Sequence, residues 1–321
     1  MQRIPPEGGT TNSLLRNHAM IHRSNRTAWT FLAPNLAGFL VFVVLPVVVA
    51  LGLSFFRWDV FHDAKFIGWR NFTEMFGGAT EDGQWTWNDP KFWQALGNTF
   101  FFLIAIPISM ALSLLLAVVL NQKMRGRIWF RTVFFLPTVC AGVGLLLLWK
   151  LMLLNPQFGL INSLLASVGI EGPKWLQSYH WAKPAIILMI VWATMGGTNM
   201  ILYLAGLQNI SPELYEAAQI DGAGRWAQFR HVTWPMLAPT TFFISTTSLI
   251  AGFAGEFDAV YVMTRGGPDG ATTTLGYYTY QHAFEWFNMG YACAVAMVMF
   301  VLILTVTVIH WRYSEARSHY A

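Results

Sequence analysis

Charged side chains are scarce in this chain. Asp, Glu, Lys and Arg make up 11% of its 321 residues, whereas a soluble domain carries about 25% to keep a wetted surface. With 55% hydrophobic residues and a mean hydropathy of +0.44, the composition excludes an ordinary soluble domain and indicates an integral membrane protein. Cysteine is scarce too. Cys140 and Cys293 both fall in apolar runs, too few and too deeply placed for a disulfide framework or a zinc site. No GxxxxGK[ST], HExxH, GxSxG or CxxC motif occurs, so the chain is not expected to be an enzyme or to hold a metal. The alternating segments of about 10 residues that build a membrane β-barrel are missing as well. A cleavable signal peptide is not expected. The first 29 residues are polar and basic, and the run from Phe31 to Phe56 exceeds a signal's apolar core.

Long apolar runs are what the sequence has. A hydrocarbon core about 30 Å thick takes roughly 20 residues of helix, and six stretches qualify: 30–56, 98–120, 131–154, 184–207, 238–258 and 289–311. Backbone facing lipid must satisfy its own hydrogen bonds, so these read as helices, and the expected fold is an all-α membrane protein of six spans. The face holding the 1–29 tail, the 121–131 and 208–237 loops and the C-terminal tail carries 12 Lys/Arg and 5 Asp/Glu, against 8 and 11 on the other. Basic short loops stay cytoplasmic, which puts both termini inside. The same bias accounts for the pI of about 9.1 without a nucleic-acid partner. The expected organisation is a 1–29 cytoplasmic tail, a 30–312 six-span domain and a 313–321 cytoplasmic tail. Trp29, Trp58, Trp93, Trp129, Trp149, Trp181 and Trp311 sit near span ends, where their rings are expected to anchor among lipid headgroups. His231 and His282 read as lone surface histidines.

The 208–237 loop is unlike the others. Ser211 is a good N-cap and Pro212 suits the first helical turn. Glu213 and Glu216 favour the positive end of the helix, and Gly222 and Gly224 are stop signals. A second short helix is expected from Arg225 to Thr233, ending before Pro235. Glu-Ala-Ala at 216–218 is followed by three residues, Gly222, nine residues, and Val232-x-Trp234-Pro235. This resembles the EAA loop of bacterial ABC-importer permeases, with Val and Trp standing where that family has Ile and Leu.

Two more segments carry the likeness. Phe257 to Thr264 with Gly266-Gly267-Pro268, and Ala283-Phe284-Glu285 with Gly290-Tyr291-Ala292, are similar to the fifth span's outer end and the approach to the last span in the carbohydrate-uptake group. Over roughly 30–312 the chain is most similar to the MalF-like half of such importers. The resemblance implies a MetI-like permease fold whose cytoplasmic EAA loop is a coupling helix, with Glu216, Ala217, Ala218, Asp221 and Gly222 contacting an ATPase. It implies a bacterial inner-membrane location, a second MalG-like permease, two ATPase subunits that hold ATP and Mg in place of any cofactor on this chain, and an extracytoplasmic solute-binding protein.

Polar groups inside spans are costly and mark cavities or pairing sites. Asn199, the Thr240–Ser248 hydroxyls and Glu256 are candidates from the residues alone, with back-bonding to the preceding turn and helix linking as competing roles. The resemblance adds Thr138, Gly142 and Phe253 as substrate-pathway candidates and again points to Glu256. Since Phe253 and Glu256 replace the family's asparagines, its particular sugar does not carry over. The implied function is the permease subunit of a binding-protein-dependent importer of a sugar or sugar-derived substrate, working by ATP-driven alternating access. An ion-coupled secondary transporter is the alternative. It needs mid-span charges, which are nearly absent.

Overall fold

The computed structural model describes residues 29–79, 85–86, 89–122, 124–140, 142–154 and 158–318, without the side chains of 78–79, 85–86, 254–256 and 313–318. The expected 1–29 tail and the end of the 313–321 tail fall largely outside them. Two units are distinguished, Met1–Leu53 and Ser54–Ala321. The described part of the first is one apolar helix, α1 (Trp29–Leu53).

The second unit opens with a hairpin of β1 (Phe56–Arg57) and β2 (Lys65–Phe66), paired antiparallel, then α2 (Arg70–Phe76). A second short hairpin joins β3 (Gly78–Ala79) to β4 (Trp85–Thr86). Helices α3 (Pro90–Phe102) and α4 (Ala105–Asn121) follow, then α5 (Arg127–Val139), α6 (Gly142–Met152) and α7 (Leu160–Ser167). Next come α8 (Ala182–Met195), α9 (Thr198–Gln208) and α10 (Pro212–Ile220). The chain ends with α11 (Arg225–Met236), α12 (Ala238–Met263), α13 (Leu275–Tyr280) and α14 (Met289–Ser318).

Among the described residues, three helical runs are long and apolar enough to cross a membrane unbroken: Trp29–Leu53, Pro90–Asn121 and Met289–Arg312. Of the other three expected spans, 131–154 and 184–207 are the bent pairs α5–α6 and α8–α9, while 238–258 lies within the single helix α12, which meets the same length and apolarity only together with α11 across a bend of 63°; the count reaches six if each bent pair is one span. The second span also begins earlier than position 98. Asp89 accepts from Phe92 N–H at 3.1 Å and Pro90 takes the first turn, a start signal hidden in polar sequence.

Local chemistry explains the breaks. In α8–α9 the bend of 42° falls at Gly196–Gly197. A Cβ on Gly196 would lie 2.2 Å from the Phe134 carbonyl oxygen, and one on Gly197 would lie 2.4 Å from Thr138 Oγ1. The two glycines therefore let α5 lie directly against the break. The Met195 carbonyl, deprived of a helical partner, accepts from the buried Ser113 hydroxyl of α4 at 2.8 Å, the kind of repair that lipid surroundings demand. Two helix prolines follow widened turns. A π-turn at Leu40–Val44 precedes Pro46 in α1, and another at Phe229–Thr233 precedes Pro235 in α11. A proline ring crowds the carbonyl four residues back, and a wider turn moves that carbonyl away. The second helix of the 208–237 loop thus runs through Pro235 to Met236 instead of stopping before it.

Three apolar clusters hold the second unit together. Leu114, Leu120, Met200, Tyr203, Leu207, Leu237 and Ile244 join α4, α9 and the elbow between α11 and α12. Phe102, Trp149, Ile186, Met189, Val260 and Tyr277 join α3, α6, α8, α12 and α13. Met75, Phe92, Leu275, Tyr291 and Val295 join α2, α3, α13 and α14. Trp149, expected as an interface anchor, is 6% exposed and packs edge-to-face with Trp192 at 5.5 Å. Trp29, Trp129, Trp181 and Trp311 remain exposed.

Candidate functional site

The 208–237 loop is built as its residues direct. Ser211 Oγ accepts from Glu213 N–H at 3.3 Å and Pro212 opens α10. At the other end Asp221 is the C-cap and Gly222 adopts φ +79°. Gly222 N–H donates to the Gln219 carbonyl at 3.0 Å and Ala223 N–H to the Ala218 carbonyl at 2.8 Å. This pair of bonds is the Schellman arrangement, which closes a helix through a left-handed residue that glycine occupies at least cost. Nothing lies within 4 Å of where a Gly222 Cβ would be, so the position requires the backbone freedom and not the small volume.

The loop is fastened to the helices beneath it. Tyr215 and Thr233 hydroxyls meet at 3.0 Å, linking α10 to α11. Gln228 Nε2 donates to the Ala223 carbonyl at 2.9 Å. Tyr215, Phe229 and Val232 pack against the α4–α9 cluster, while α11 turns 63° into α12 at the fully buried Leu237. Glu216, Ala217, Asp221 and Gly222 face outward and Ala218 is half-buried. Among the described residues no hydrogen bond or ion pair holds the Glu216 or Asp221 carboxylate. Apolar side chains share that open surface, Ile220 being 87% and Trp226 72% exposed. The helix is thus capped at both ends and presents free carboxylates beside bare apolar groups.

The pathway candidates are spread over α5, α6, α9 and α12. Thr138, exposed on α5, lies against Gly197, two residues from Asn199. Asn199 Nδ2 donates to Ser248 Oγ at 3.5 Å, a long bond from α9 to α12. Thr246 and Thr247 hydroxyls bond back to the Phe242 and Phe243 carbonyls, both at 2.9 Å. Gly142 starts α6 beside open space. Phe253 is 3% exposed and meets Phe100 edge-to-face at 6.4 Å. Glu256 lies on α12, but its side chain is outside the described residues. Among the described residues no group of three or more His, Cys, Asp or Glu is placed to hold a metal ion.

Sequence reasoning missed a polar hub at the opposite end of α12 from the loop. Asp89 accepts from the Tyr278 hydroxyl at 2.7 Å and from the Tyr291 hydroxyl, besides capping α3. Asn98 Nδ2 donates to the Gly270 and Thr273 carbonyls at 2.9 and 2.8 Å, and Thr99 Oγ1 accepts from Leu275 N–H at 2.9 Å. His282 is no surface residue. Both its ring nitrogens are buried with no hydrogen-bond partner among the described residues, the rings of Tyr278, Trp286 and Tyr291 lying 4.5–4.6 Å away. Burial pushes its pKa down to about 4, Lys91 acting in the same sense and Asp89 against it. The only signal for the hub was Asp89-Pro90, a capping dipeptide.

The family model described as "Binding-protein-dependent transport system inner membrane component" matches residues 94–317. The probable ABC transporter permease protein YesP of Bacillus subtilis (strain 168) is 36% identical over 317 residues, covering 97% of this chain and 98% of that protein. The lactose transport system permease protein LacF of Rhizobium radiobacter is 38% identical over 297 residues, covering 90% and 94%. Among solved structures, a bacterial ABC transporter involved in import of the acidic polysaccharide alginate superposes with a TM-score of 0.78 at 24% identity, covering 94% of this chain and 99% of that one; this likeness shows a shared fold. The family match takes in the capped loop and both broken helix pairs that flank it, and with near-full-length relatives on either side the chain belongs to the binding-protein-dependent inner membrane permease components of ABC importers.

Proposed function

We propose that this permease forms half of a translocation pathway for a sugar or sugar-derived substrate and couples it to ATP hydrolysis on partner subunits. The observation that carries the coupling role is the outward-facing, Schellman-closed helix of residues 211–223, with Glu216 and Asp221 unpaired. In this reading the helix seats in a cleft of an ATPase. Glu216 makes charge-assisted hydrogen bonds there, and Ala217 and Ala218 permit close approach. Two ATPase subunits holding ATP and Mg close and reopen, and the loop passes that motion to α12. A second MalG-like permease completes the pathway, and an extracytoplasmic binding protein delivers substrate. The Thr138–Gly197–Asn199 region, Gly142, Phe253 and Glu256 are the pathway positions. Both termini and the loop are cytoplasmic on the charge bias.

The sugar class is supported by relatives such as the lactose permease LacF. The face opposite the loop carries an excess of acidic residues, which disfavours a strongly anionic substrate despite the fold shared with the alginate importer. The test is co-expression of the tagged chain with its neighbouring subunits, followed by an ATPase assay with candidate binding proteins. Co-purification of a second permease and an ATPase, with turnover raised by one sugar-loaded binding protein, is the expected result. A chain that purifies alone and transports in liposomes without ATP would overturn the proposal.

A further inference from the structure

One turn beyond Phe253, the far end of α12 carries aromatic rings that the coupling mechanism does not use. Phe257 and Tyr261 lie nearly parallel, with centroids 5.6 Å and planes 18° apart. Tyr280 of α13 leans on both, at 5.2 and 5.3 Å, and Phe284 continues the row at 5.3 Å from Tyr280. Behind them Tyr277 is buried in the core and stacks on Tyr280 at 6.2 Å. Phe257, Tyr261 and Tyr280 are half-buried against the α12–α13 core cluster, and Phe284 is 61% exposed.

Fixed polar groups border these rings. The Glu285 carboxylate accepts from the Tyr277 hydroxyl at 3.5 Å and from Gln281 Nε2 at 3.2 Å. Arg265 is exposed and held in the left-handed region at φ 51°, two residues past the end of α12. Flat apolar faces with a few oriented polar groups are the makings of a small-molecule site. The ligand that fits both is a pyranose. Its C–H face lies on an aromatic ring, its hydroxyls donate to a carboxylate and accept from a guanidinium, and opposite charges at the rim favour a neutral sugar.

We infer that Phe257, Tyr261, Tyr280 and Phe284, flanked by Glu285 and Arg265, form a second saccharide subsite that receives a neutral oligosaccharide before it reaches the level of Phe253. This rests on the sugar reading above. The row runs from α12 through α13 to Phe284 just beyond it, its most exposed member, so more than one sugar unit can lie along it and longer chains gain more than disaccharides.

The experiment uses the full chain in lipid nanodiscs, with maltohexaose and lactose as probes and saturation-transfer difference NMR as the readout. Phe284→Leu and Tyr280→Leu are each expected to weaken maltohexaose binding by about tenfold, and lactose binding less. Phe284→Tyr, which keeps a ring, should bind as the wild type does; loss of binding in that variant would overturn the subsite. Phe284 is exposed enough that its replacement leaves the fold intact, and the thermal unfolding midpoint of each variant verifies this. Equal binding by wild type and both leucine variants overturns the subsite and leaves the sugar reading standing. A wild type that binds neither probe also overturns it, and the sugar reading falls with it only if binding-protein-stimulated ATPase activity ignores both sugars.

Discussion

At Gly222 the surroundings are empty and the backbone is constrained, a combination that predicts which substitutions matter. A β-branched residue is strained at φ +79°, at a cost of about 1–2 kcal/mol, whereas asparagine visits the left-handed region readily. Gly222→Val should therefore abolish uptake while the protein still reaches the membrane, and Gly222→Asn should retain most uptake. Parallel uptake assays and membrane immunoblots make the comparison. A Val variant with normal uptake would remove the coupling role from this turn. His282 sets a second expectation. Its pKa is depressed from 6.5 to about 4 in the fold, so the unfolded chain binds a proton that the folded one excludes. Stability contributed there is complete above about pH 6.5 and is lost as pH falls toward 4. The unfolding midpoint should drop between pH 7.5 and pH 5, and His282→Phe should flatten that dependence. Both residues were visible in sequence, but only Gly222 could be interpreted. A stop signal is local, while the burial of His282 needs Tyr291 of α14 to fold back onto the run that carries Tyr278 and Trp286.

Helix interruptions belong to the next scale. The α8–α9 break is held by Gly196 and Gly197 against α5 and by the Ser113 hydroxyl on the Met195 carbonyl. Ser113→Ala should cost about 1 kcal/mol, read as a lower unfolding midpoint in detergent with uptake largely kept. Gly196→Ala sets a Cβ against backbone that cannot swing away and should cost about 1–3 kcal/mol. A variant as stable as the wild type would mean that α5 does not sit tightly on the break. Element existence was legible from apolar length, and the α10 helix was legible down to its caps because Ser211, Pro212 and Gly222 act within a few residues. Where the spans break was not. Glycine pairs and prolines occur in unbroken membrane helices too, and only the neighbour that exploits them, here the Phe134 carbonyl, decides the outcome. Of the pathway candidates, Thr138 and Asn199 come within reach of one helix break, while Phe253 is covered by Phe100; such covering depends on tertiary packing, on which hydropathy is silent.

For the molecule as a whole, the missing nucleotide motif and the scarcity of mid-span charge predict how energy enters. Uptake in cells should collapse when ATP is depleted and should survive a protonophore as long as ATP is maintained. The reverse pattern would indicate ion coupling. The parts that energy must reach are set along one element. Helix α12 is an uninterrupted rod of 26 residues, about 39 Å long at 1.5 Å per residue. The capped loop feeds its near end through the 63° elbow at Leu237, and the aromatic row occupies its far end. Elbow and rod together make a crank. On the proposed coupling role, rocking the rod by about 10° at its near end would sweep the far end through roughly 7 Å, more than the spacing between neighbouring rings in the row, so a slight rotation at the loop would become a full step at the far end of α12.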